Sequence, residues 1–369
     1  MSVCLPETIK AVLLQPERTV KVVDLPFASQ EPVKNLPADE VLIRVRAVAL
    51  NPTDWKHAFG QLGKPGTVSG SDAAGDVVKV GSQVTHIKIG DRATGFNFGG
   101  SWQTNNGAYA EYVRLKAAVC WKLPEGMTYE EAASFPIPHL TAVQALYMRL
   151  PIPTPFSSQA PLKEKILIWG GSTAVGHHAV QLATLSGLEV IVTASLGAHK
   201  ELKALGAARC IDYKALDVVA QIKAAAGPDG VIYALDTHAS DGSTEHVVDA
   251  MSEKRGGTVI TLLPVAEGVI KRRSDVHVEF TLVYTLLGYE FSFAGFPFPE
   301  SVEDKRRSLL YVTEVMPRIL EGWKVGQGAP KIKAQHLRRM EGGLERIYEG
   351  LKVMADGNYA REKLVYTVQ

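Results

Sequence analysis

Hydrophobic and polar residues alternate with two different rhythms along this chain, and the rhythm changes near residue 150. From residue 9 to about residue 122 the apolar runs are short, as in EVLIRVRAVAL (40–50), and Gly, Pro and Asp separate them. Runs of this length between turn-forming residues are typical of β-strands. The first third of the sequence therefore predicts a β-rich domain.

A helical segment and a connector follow this domain. YEEAASFPIPHLTAVQALYMRL (129–150) predicts helical pieces broken at Pro136 and Pro138. PIPTPFSSQAPLKEK (151–165) carries four prolines, so we expect an extended connector rather than a helix.

Strands and helices alternate after the connector. Apolar, β-branched runs such as ILIW (166–169) and EVIVT (189–193) stand between amphipathic helical patterns. Buried strands separated by helices specify a parallel sheet that is covered on both faces, here doubly wound. We therefore expect an α/β Rossmann domain next to the β-rich domain.

The C-terminal residues complete the predicted organisation. Helical patterns cover 302–323 and 340–357, and KLVYTV (363–368) is a strand without a neighbour in sequence. We expect this strand to return to a sheet formed earlier in the chain. The predicted divisions are 1–160, 161–300 and 301–369.

A glycine-rich turn joins the first Rossmann strand to its helix. Gly170, Gly171 and Ser172 open the turn, and Ala174 and Gly176 let the helix approach the sheet. A helix N-terminus offers free N–H groups and a positive dipole to a phosphate. The motif is not a strict G-x-G-x-x-G, and taken alone it could be a turn without a ligand.

The end of the second Rossmann strand indicates which dinucleotide would bind. NAD-binding folds usually place Asp or Glu there to bind the ribose, whereas this chain has Thr193, Ala194 and Ser195. Lys200 and Tyr213 follow nearby, and a cation beside hydroxyl groups suits a 2′-phosphate. This favours NADPH, although Lys200 could be a solvated helix residue and Tyr213 a core aromatic.

Composition excludes several other classes of partner. Forty Lys and Arg stand against 39 Asp and Glu, a net charge of +1, so the sequence indicates no nucleic-acid or membrane partner. The three cysteines are scattered and imply no disulfide framework. With no signal-peptide pattern at the start of the sequence, we expect a cytoplasmic protein.

Three longer stretches resemble the medium-chain dehydrogenase/reductases. They are GSDAAGDVVKVGSQVTHIKIGDR (70–92), GAYAEYV (107–113) and KLPEGMTYEEAASFP (122–136). The resemblance implies a GroES-like β-rich domain, a Rossmann domain and a last strand that returns to the first.

The resemblance is to the zinc-free quinone and enoyl reductase branch. Zinc-containing members carry a cysteine and a Gly-His-Glu where this chain has Asn51-Pro52-Thr53-Asp54 and Gly70-Ser71-Asp72. NPTDWK (51–56), GGSTA (170–174) and REKLVYTV (361–368) are similar to fungal enoyl reductases that act in trans with polyketide synthases. This implies a monomer that uses NADPH on a small α,β-unsaturated carbonyl or acyl substrate, free or on a polyketide synthase acyl carrier.

The resemblance also assigns residues to the site. Residues expected at the cofactor are Thr53, Asp54, Trp55, Lys56, Ser172, Thr173, Ala174, Val175, Ser195, Leu196, Gly197, Ala198, Lys200, Tyr213, Leu262, Leu263, Asn358 and Tyr359. Residues expected at the substrate are Leu140, Thr141, Gly288, Tyr289, Glu290, Phe291 and Ser292. Lys56 and Thr141 are the expected catalytic residues.

The implied chemistry is hydride transfer from NADPH to the β-carbon of an activated C=C. Charge then develops on the carbonyl oxygen, where a preorganised donor stabilises the transition state, and Lys56 is the candidate. Tyr147, Tyr289 and water stay open as the proton donor. A zinc-independent carbonyl reductase or alcohol dehydrogenase, and a non-catalytic NADPH-binding protein, are the alternative functions.

We predict that the protein works without a metal, because Thr53, Asp54, Ser71 and Asp72 occupy the zinc-ligand regions and no cysteine does. Elemental analysis of pure protein should find well under one zinc per chain, and chelators should leave activity unchanged. A stoichiometric zinc whose removal abolishes turnover would contradict this prediction.

Overall fold

A computed structural model describes residues 4–60, 62–101, 105–158, 164–323 and 331–368. The chain forms two compact units, Met1–Ile137 with Tyr284–Gln369, and Pro138–Val283. The predicted division at 160/161 lies in 159–163, outside the described residues. The division at 300/301 falls inside the first unit.

The strands found in the described ranges are β1 (Thr8–Gln15), β2 (Thr19–Pro26), β3 (Glu40–Ala49), β4 (Asp72–Val80), β5 (Arg92–Phe96), β6 (Tyr112–Lys116), β7 (Cys120–Lys122), β8 (Lys165–Trp169), β9 (Glu189–Thr193), β10 (Arg209–Ile211), β11 (Tyr233–Asp236), β12 (Gly257–Thr261), β13 (Val276–Phe280), β14 (Phe291–Phe293), β15 (Phe296–Phe298), β16 (His336–Met340) and β17 (Glu362–Thr367).

The α-helices in the same ranges are α1 (Glu31–Lys34), α2 (Pro52–Phe59), α3 (Tyr129–Ala133), α4 (Pro136–Val143), α5 (Ala174–Leu185), α6 (His199–Ala204), α7 (Val218–Ala226), α8 (Ser243–Ala250), α9 (Glu267–Ile270), α10 (Val302–Leu310), α11 (Met316–Ile319) and α12 (Ile347–Ala355). Tighter 3₁₀ turns cover Ala117–Val119, Leu196–Ala198, Val283–Leu287 and Gly343–Arg346, and wider π turns cover Gln144–Arg149 and Tyr311–Val315.

The second unit is built on a parallel six-stranded sheet of order β10-β9-β8-β11-β12-β13. Ile166, Leu167 and Ile168 of β8 are fully buried, as a strand covered on both faces requires. This confirms the predicted Rossmann arrangement, in which strands extend in both directions from β8. Strand β13 was not predicted.

The first unit is organised around β3, which pairs with β4, β6 and β17. Val365 of β17 lies opposite Ala49, and Tyr366 lies opposite Val48. The C-terminal strand therefore completes the β-rich domain, as the sequence predicts. Its apolar residues pack in the same core as Ile43 and Leu351.

The structure differs from the sequence prediction at several helix ends. The predicted helix from Met340 is wrong at its start, because Met340 ends β16 and Gly342 and Gly343 both have positive φ. The predicted break at Pro136 is confirmed, because α3 ends at Ala133 and α4 begins at Pro136, whose missing N–H costs nothing in a first helical turn. The predicted break at Pro138 is wrong, because Pro138 lies in the first turn of α4. A hairpin, β14–β15, was missed; it turns through Ala294 and Gly295, both with positive φ.

Among the described helices, none combines the length and the apolar character needed to cross a bilayer.

Candidate active site

The glycine-rich turn of the second unit is shaped by steric limits. Gly170 has a φ of +81°, and a Cβ there would lie 2.6 Å from Thr237 Oγ1. A Cβ at Gly176 would lie 2.2 Å from the carbonyl oxygen of Gly170. A side chain at Gly176 would therefore push α5 away from the turn, so this glycine brings the helix close to the strand.

The N-terminus of α5 presents amides to a ligand. Thr173 caps the helix by accepting a hydrogen bond from the Gly176 N–H at 3.0 Å. Within the described ranges, the N–H groups of Ser172, Ala174 and Val175 have no backbone acceptor. Together with the helix dipole, these open amides fit the pyrophosphate of a dinucleotide.

Ser195 and Tyr213 follow the ends of adjacent parallel strands. Thr193 of β9 pairs with Ile211 of β10, so both strands end at the same edge of the sheet. Ser195 is partly buried there, and Tyr213 and Lys200 are exposed. These hydroxyl and ammonium groups are available to a ligand.

The remaining predicted cofactor residues at this edge differ in exposure. Leu196 and Gly197 are exposed in a 3₁₀ turn, whereas Ala198 is buried. Asp212 follows β10, and its carboxylate accepts the Lys214 N–H at 3.1 Å. That bond gives the carboxylate that precedes Tyr213 in sequence a backbone partner.

Other predicted residues of the second unit lie on α4 and after β12. Leu262 and Leu263 follow β12 and are partly buried, and the Leu263 carbonyl accepts a hydrogen bond from Thr261 Oγ1 at 2.9 Å. Leu140 and Thr141 are buried on α4. Tyr147 donates to the Leu182 carbonyl at 3.1 Å and contacts Ser186 Oγ at the same distance, so its hydroxyl already has helix partners.

In the first unit, two buried polar groups fix the N-terminus of α2. Asn51 is its N-cap, and Asp54 accepts the Asn51 N–H at 2.7 Å to complete a capping box. Asp54 also accepts the hydroxyls of Ser71 at 2.7 Å and Tyr109 at 2.8 Å. Its carboxylate is thus bonded within the domain, so the predicted cofactor contact of Asp54 is left to its backbone.

A buried ion pair lies beside this cap. Asp72 accepts Asn51 Nδ2 at 2.8 Å, the Ile137 N–H at 2.9 Å and the Lys363 ammonium at 3.3 Å. Lys363 also donates to Asn51 Oδ1. Burial raises the pKa of Asp72 to about 6 despite Lys363, and burial lowers the pKa of Lys363.

Helix α2 carries four of the predicted site residues. Thr53 and Lys56 are partly buried, and the Lys56 ammonium lies 5.7 Å from the centre of the Trp55 ring. No acidic partner of Lys56 occurs in the described part of the chain. Burial lowers the pKa of Lys56, which makes the ammonium more ready to donate a hydrogen bond or proton.

An aromatic cluster, formed by Phe98, Tyr284, Phe291 and Phe293, lies beside α2. Phe98 and Tyr284 stack with their ring centres 4.1 Å apart, and Phe291 contacts Phe98 at 5.5 Å. The Tyr284 hydroxyl is 2.9 Å from Thr53 Oγ1. The structure thus brings Phe291 and Thr53, predicted separately from the sequence, to one cluster.

The other predicted residues of the first unit are more scattered. Tyr289 is partly buried, and Glu290 and Ser292 are exposed, while Gly288 is buried with a φ of +75°. Tyr359 packs against the β-domain core. Asn358 is exposed, and its carbonyl accepts Arg338 Nη1 at 3.2 Å.

Comparisons with known proteins agree with this architecture. The family model "Alcohol dehydrogenase GroES-like domain" matches residues 37–125, and "Zinc-binding dehydrogenase" matches residues 174–290. Trans-enoyl reductase ACTTS2 of Alternaria alternata is 33% identical over 368 residues, which cover 98% of this chain and 99% of that protein. The chain belongs to the medium-chain dehydrogenase/reductase family.

Two further relatives support this assignment. The enoyl reductase component of the lovastatin nonaketide synthase of Aspergillus terreus is 33% identical over 344 residues, or 92% of each chain. The solved structure of the quinone oxidoreductase from Coxiella burnetii has a TM-score of 0.67 at 26% identity, covering 98% of this chain and 100% of that one. Members of the medium-chain dehydrogenase/reductase family are oxidoreductases that typically bind a nicotinamide cofactor.

The positions compared with zinc ligands are bonded to one another in this member of the family. Asn51 and Asp72 share the Lys363 ammonium, and Ser71 donates to Asp54. Across the described ranges, no group of three or more His, Cys, Asp or Glu side chains could hold a metal ion.

Sequence reasoning missed Lys363, Tyr109 and Tyr284 as parts of the site. Lys363 is 312 positions from Asn51, and Tyr284 is 231 positions from Thr53. The only signal for Lys363 in the sequence was a lysine at the start of an apolar strand that had to be buried.

We predict that Asp72 makes folding stability depend on pH. A folded-state pKa of about 6, against 3.8 ordinarily, means that the folded protein keeps a proton that the unfolded chain loses. The contribution of Asp72 to the free energy of unfolding is then present at low pH and falls as the pH rises from about 4 to 6. The free energy of unfolding in urea should be measured for wild type and Asp72→Asn. The value for wild type minus the value for Asp72→Asn should be about 1–3 kcal/mol lower at pH 6.5 than at pH 4.

The difference between the two proteins is the quantity to measure, because other groups also make stability depend on pH. Buried His57, with its pKa lowered to about 4, makes the free energy of unfolding rise with pH in both proteins, and this contribution cancels in the difference. The exposed control Asp229→Asn should follow the wild-type curve. Parallel curves for wild type and Asp72→Asn would show that Asp72 titrates normally.

Proposed function

We propose that the protein is an NADPH-dependent enoyl or enone reductase. The observation that supports this most directly is Lys56, a half-buried ammonium without an acidic partner in the described residues, on the same helix as Thr53. The relatives named trans-enoyl reductase and lovastatin enoyl reductase component add support.

The bound cofactor would supply a hydride to the β-carbon of the substrate. The open amides of Ser172, Ala174 and Val175 would hold its pyrophosphate, because they have no backbone acceptor among the described residues at the start of α5. Ser195, Lys200 and Tyr213 would hold its 2′-phosphate, because hydroxyls and an ammonium suit that dianion.

The task left to the protein is to stabilise charge on the carbonyl oxygen of the substrate. A preorganised cation aimed at a developing enolate stabilises the transition state more than the ground state. Lys56 suits this role because its ammonium is partly desolvated and not neutralised by a carboxylate.

The assay that tests the function is a panel of α,β-unsaturated ketones, aldehydes and acyl thioesters with NADPH, with identification of the products. We expect loss of the C=C and retention of the C=O. Formation of an unsaturated alcohol would favour a carbonyl reductase, and no turnover of any substrate would favour a non-catalytic NADPH-binding protein. Comparing turnover of the acyl thioesters with turnover of the ketones and aldehydes distinguishes carrier-type acyl substrates from free ones.

We predict that NADPH is preferred over NADH at least tenfold in kcat/KM. A charge-assisted hydrogen bond contributes about 1.5–3 kcal/mol, and about 1.4 kcal/mol corresponds to tenfold. Lys200→Ala should reduce the preference severalfold, whereas Lys203→Ala, an exposed lysine on the same helix, should leave it unchanged. Equal efficiency of wild type with both cofactors would refute the assignment.

We predict that Lys56→Ala lowers kcat/KM for a reduced enone about tenfold to a hundredfold. Loss of one preorganised donor typically costs about 10²–10³ in rate, and partial solvation places Lys56 at the lower end. NADPH affinity, measured by fluorescence titration, should change little. The exposed-lysine control Lys34→Ala should match wild type, and wild-type turnover in Lys56→Ala would identify Lys56 as an ordinary surface lysine.

A further inference from the structure

Thr237 directly follows β11, and its side chain contacts the glycine-rich turn of the second unit. Its hydroxyl oxygen lies 2.8 Å from the Trp169 carbonyl oxygen and 3.0 Å from the Gly170 carbonyl oxygen. It also lies 2.9 Å from Thr173 Oγ1. A Cβ at Gly170 would lie 2.6 Å from the same hydroxyl, so the glycine is what lets Thr237 approach. One partly buried side chain therefore contacts the residues at both ends of the turn.

The acceptors around Thr237 decide the direction of these hydrogen bonds. A carbonyl oxygen only accepts, and a hydroxyl has one hydrogen, so the hydrogen of Thr237 points to the two carbonyl oxygens. The oxygen of Thr237 then accepts the hydroxyl hydrogen of Thr173. Thr173 Oγ1 in turn accepts the Gly176 N–H at 3.0 Å. The bonds therefore run in one direction, from the Gly176 amide through two hydroxyls to the end of β8.

The loop that carries Thr237 is itself fixed by a buried carboxylate. Asp236 is fully buried, and it accepts the hydroxyls of Ser243 and Thr244 at 2.6 Å and 2.7 Å, together with two N–H groups of the loop. The Thr237 N–H donates to the Trp169 carbonyl at 3.1 Å and so extends the pairing of β11 with β8. Thr237 is therefore held against the turn before any ligand binds.

The Thr173 hydroxyl determines how α5 begins. It caps the helix at Gly176, and the N–H groups of Ala174 and Val175 in the same first turn have no backbone acceptor among the described residues. A threonine side chain can adopt other rotamers that would take its hydroxyl away from the Gly176 amide. The bond to Thr237 holds the rotamer that caps the helix.

We propose that Thr237 is a positioning residue for the pyrophosphate of the cofactor, and that it acts through the hydroxyl of Thr173. The inference rests on the proposed function, in which the open amides of α5 hold that pyrophosphate. Groups that are already ordered lose less freedom when a ligand binds, so a fixed cap raises the affinity. Thr237 would then connect β11 to a phosphate site on the helix after β8.

Binding measurements with three ligands test this role. Thr237→Val keeps the shape of the side chain and removes its hydroxyl. We expect calorimetry to show NADP⁺ and ADP-ribose bound about threefold to tenfold more weakly, the effect of one neutral hydrogen bond. Adenosine 2′-monophosphate, which has no pyrophosphate, should bind as in wild type, and Thr237→Ser should restore the affinity for all three. Unchanged NADP⁺ affinity in Thr237→Val, or an equal loss for adenosine 2′-monophosphate, would overturn the inference.

A double-mutant cycle tests whether Thr237 acts through Thr173. Thr173→Val should weaken NADP⁺ binding at least as much as Thr237→Val, and the double variant should bind no more weakly than Thr173→Val alone. Additive losses would contradict the inference. The matched control is Thr184→Val, which removes a hydroxyl that donates to the Val180 carbonyl at 2.8 Å towards the other end of α5. It should leave NADP⁺ affinity unchanged.

A measurement without ligand tests the hydrogen bonds themselves. NMR of protein labelled with nitrogen-15 glycine should show the Gly176 amide exchanging with solvent several-fold faster in Thr237→Val than in wild type or Thr237→Ser. The Gly227 amide, which donates to the Lys223 carbonyl in the same unit, should exchange at the wild-type rate in all three. Unchanged exchange at Gly176 in Thr237→Val would overturn the inference.

The same experiments separate this inference from the proposed function. A wild-type protein that binds neither NADP⁺ nor ADP-ribose would refute both. A protein in which Thr237→Val weakens NADP⁺ binding as expected, but which reduces no enone, would refute the proposed reaction alone.

Discussion

The buried carboxylate of Asp54 is the constraint on which the proposed site depends. It binds the N-terminal N–H of the α2 cap and two hydroxyls from other parts of the β-rich domain, so the helix begins at one place and in one direction. Asp72 and Lys363 then tie this cap to the C-terminal strand. A buried charge is costly without such partners, and the last strand of the chain supplies the partner.

The position of α2 decides which of its side chains can do chemistry. Asp54 is buried and its carboxylate is hydrogen-bonded within the domain, whereas Thr53 and Lys56 are only partly buried on the same short helix. The glycine turn of the second unit also fixes the start of a helix, but by steric contact. A Cβ at Gly176 would strike the Gly170 carbonyl, so only glycine lets α5 begin this close to the turn. Among the described residues, the first amides of α5 then have no backbone acceptor. Both features convert a helix N-terminus into a defined arrangement of donors.

Much of the fold could be predicted because its signals are local. The apolar run at β8, the glycine turn and the apolar C-terminal strand each carry their meaning within a few residues, and all three lie where expected. The hairpin β14–β15 and strand β16 were missed because short runs with Gly and Arg resemble loops or helix ends.

The candidate site was harder to predict because its contacts join distant positions. The roles of Thr53 and Lys56 came from a short motif, but the partners that fix Thr53 came from no pattern near it. Tyr284 belongs to the same unit as Thr53 but is 231 positions further along the chain, and the aromatic residues around Tyr284 look like ordinary core in the sequence. Lys363 looks like the polar start of a strand until its ammonium is placed between Asn51 and Asp72.

The most direct measurement is the position of the transferred hydrogen. The protein should be given NADPH that carries deuterium at the transferable position and an enone, and the product examined by NMR. The account predicts deuterium on the former β-carbon, with the carbonyl group intact. Deuterium on the former carbonyl carbon, in an alcohol product, would contradict it.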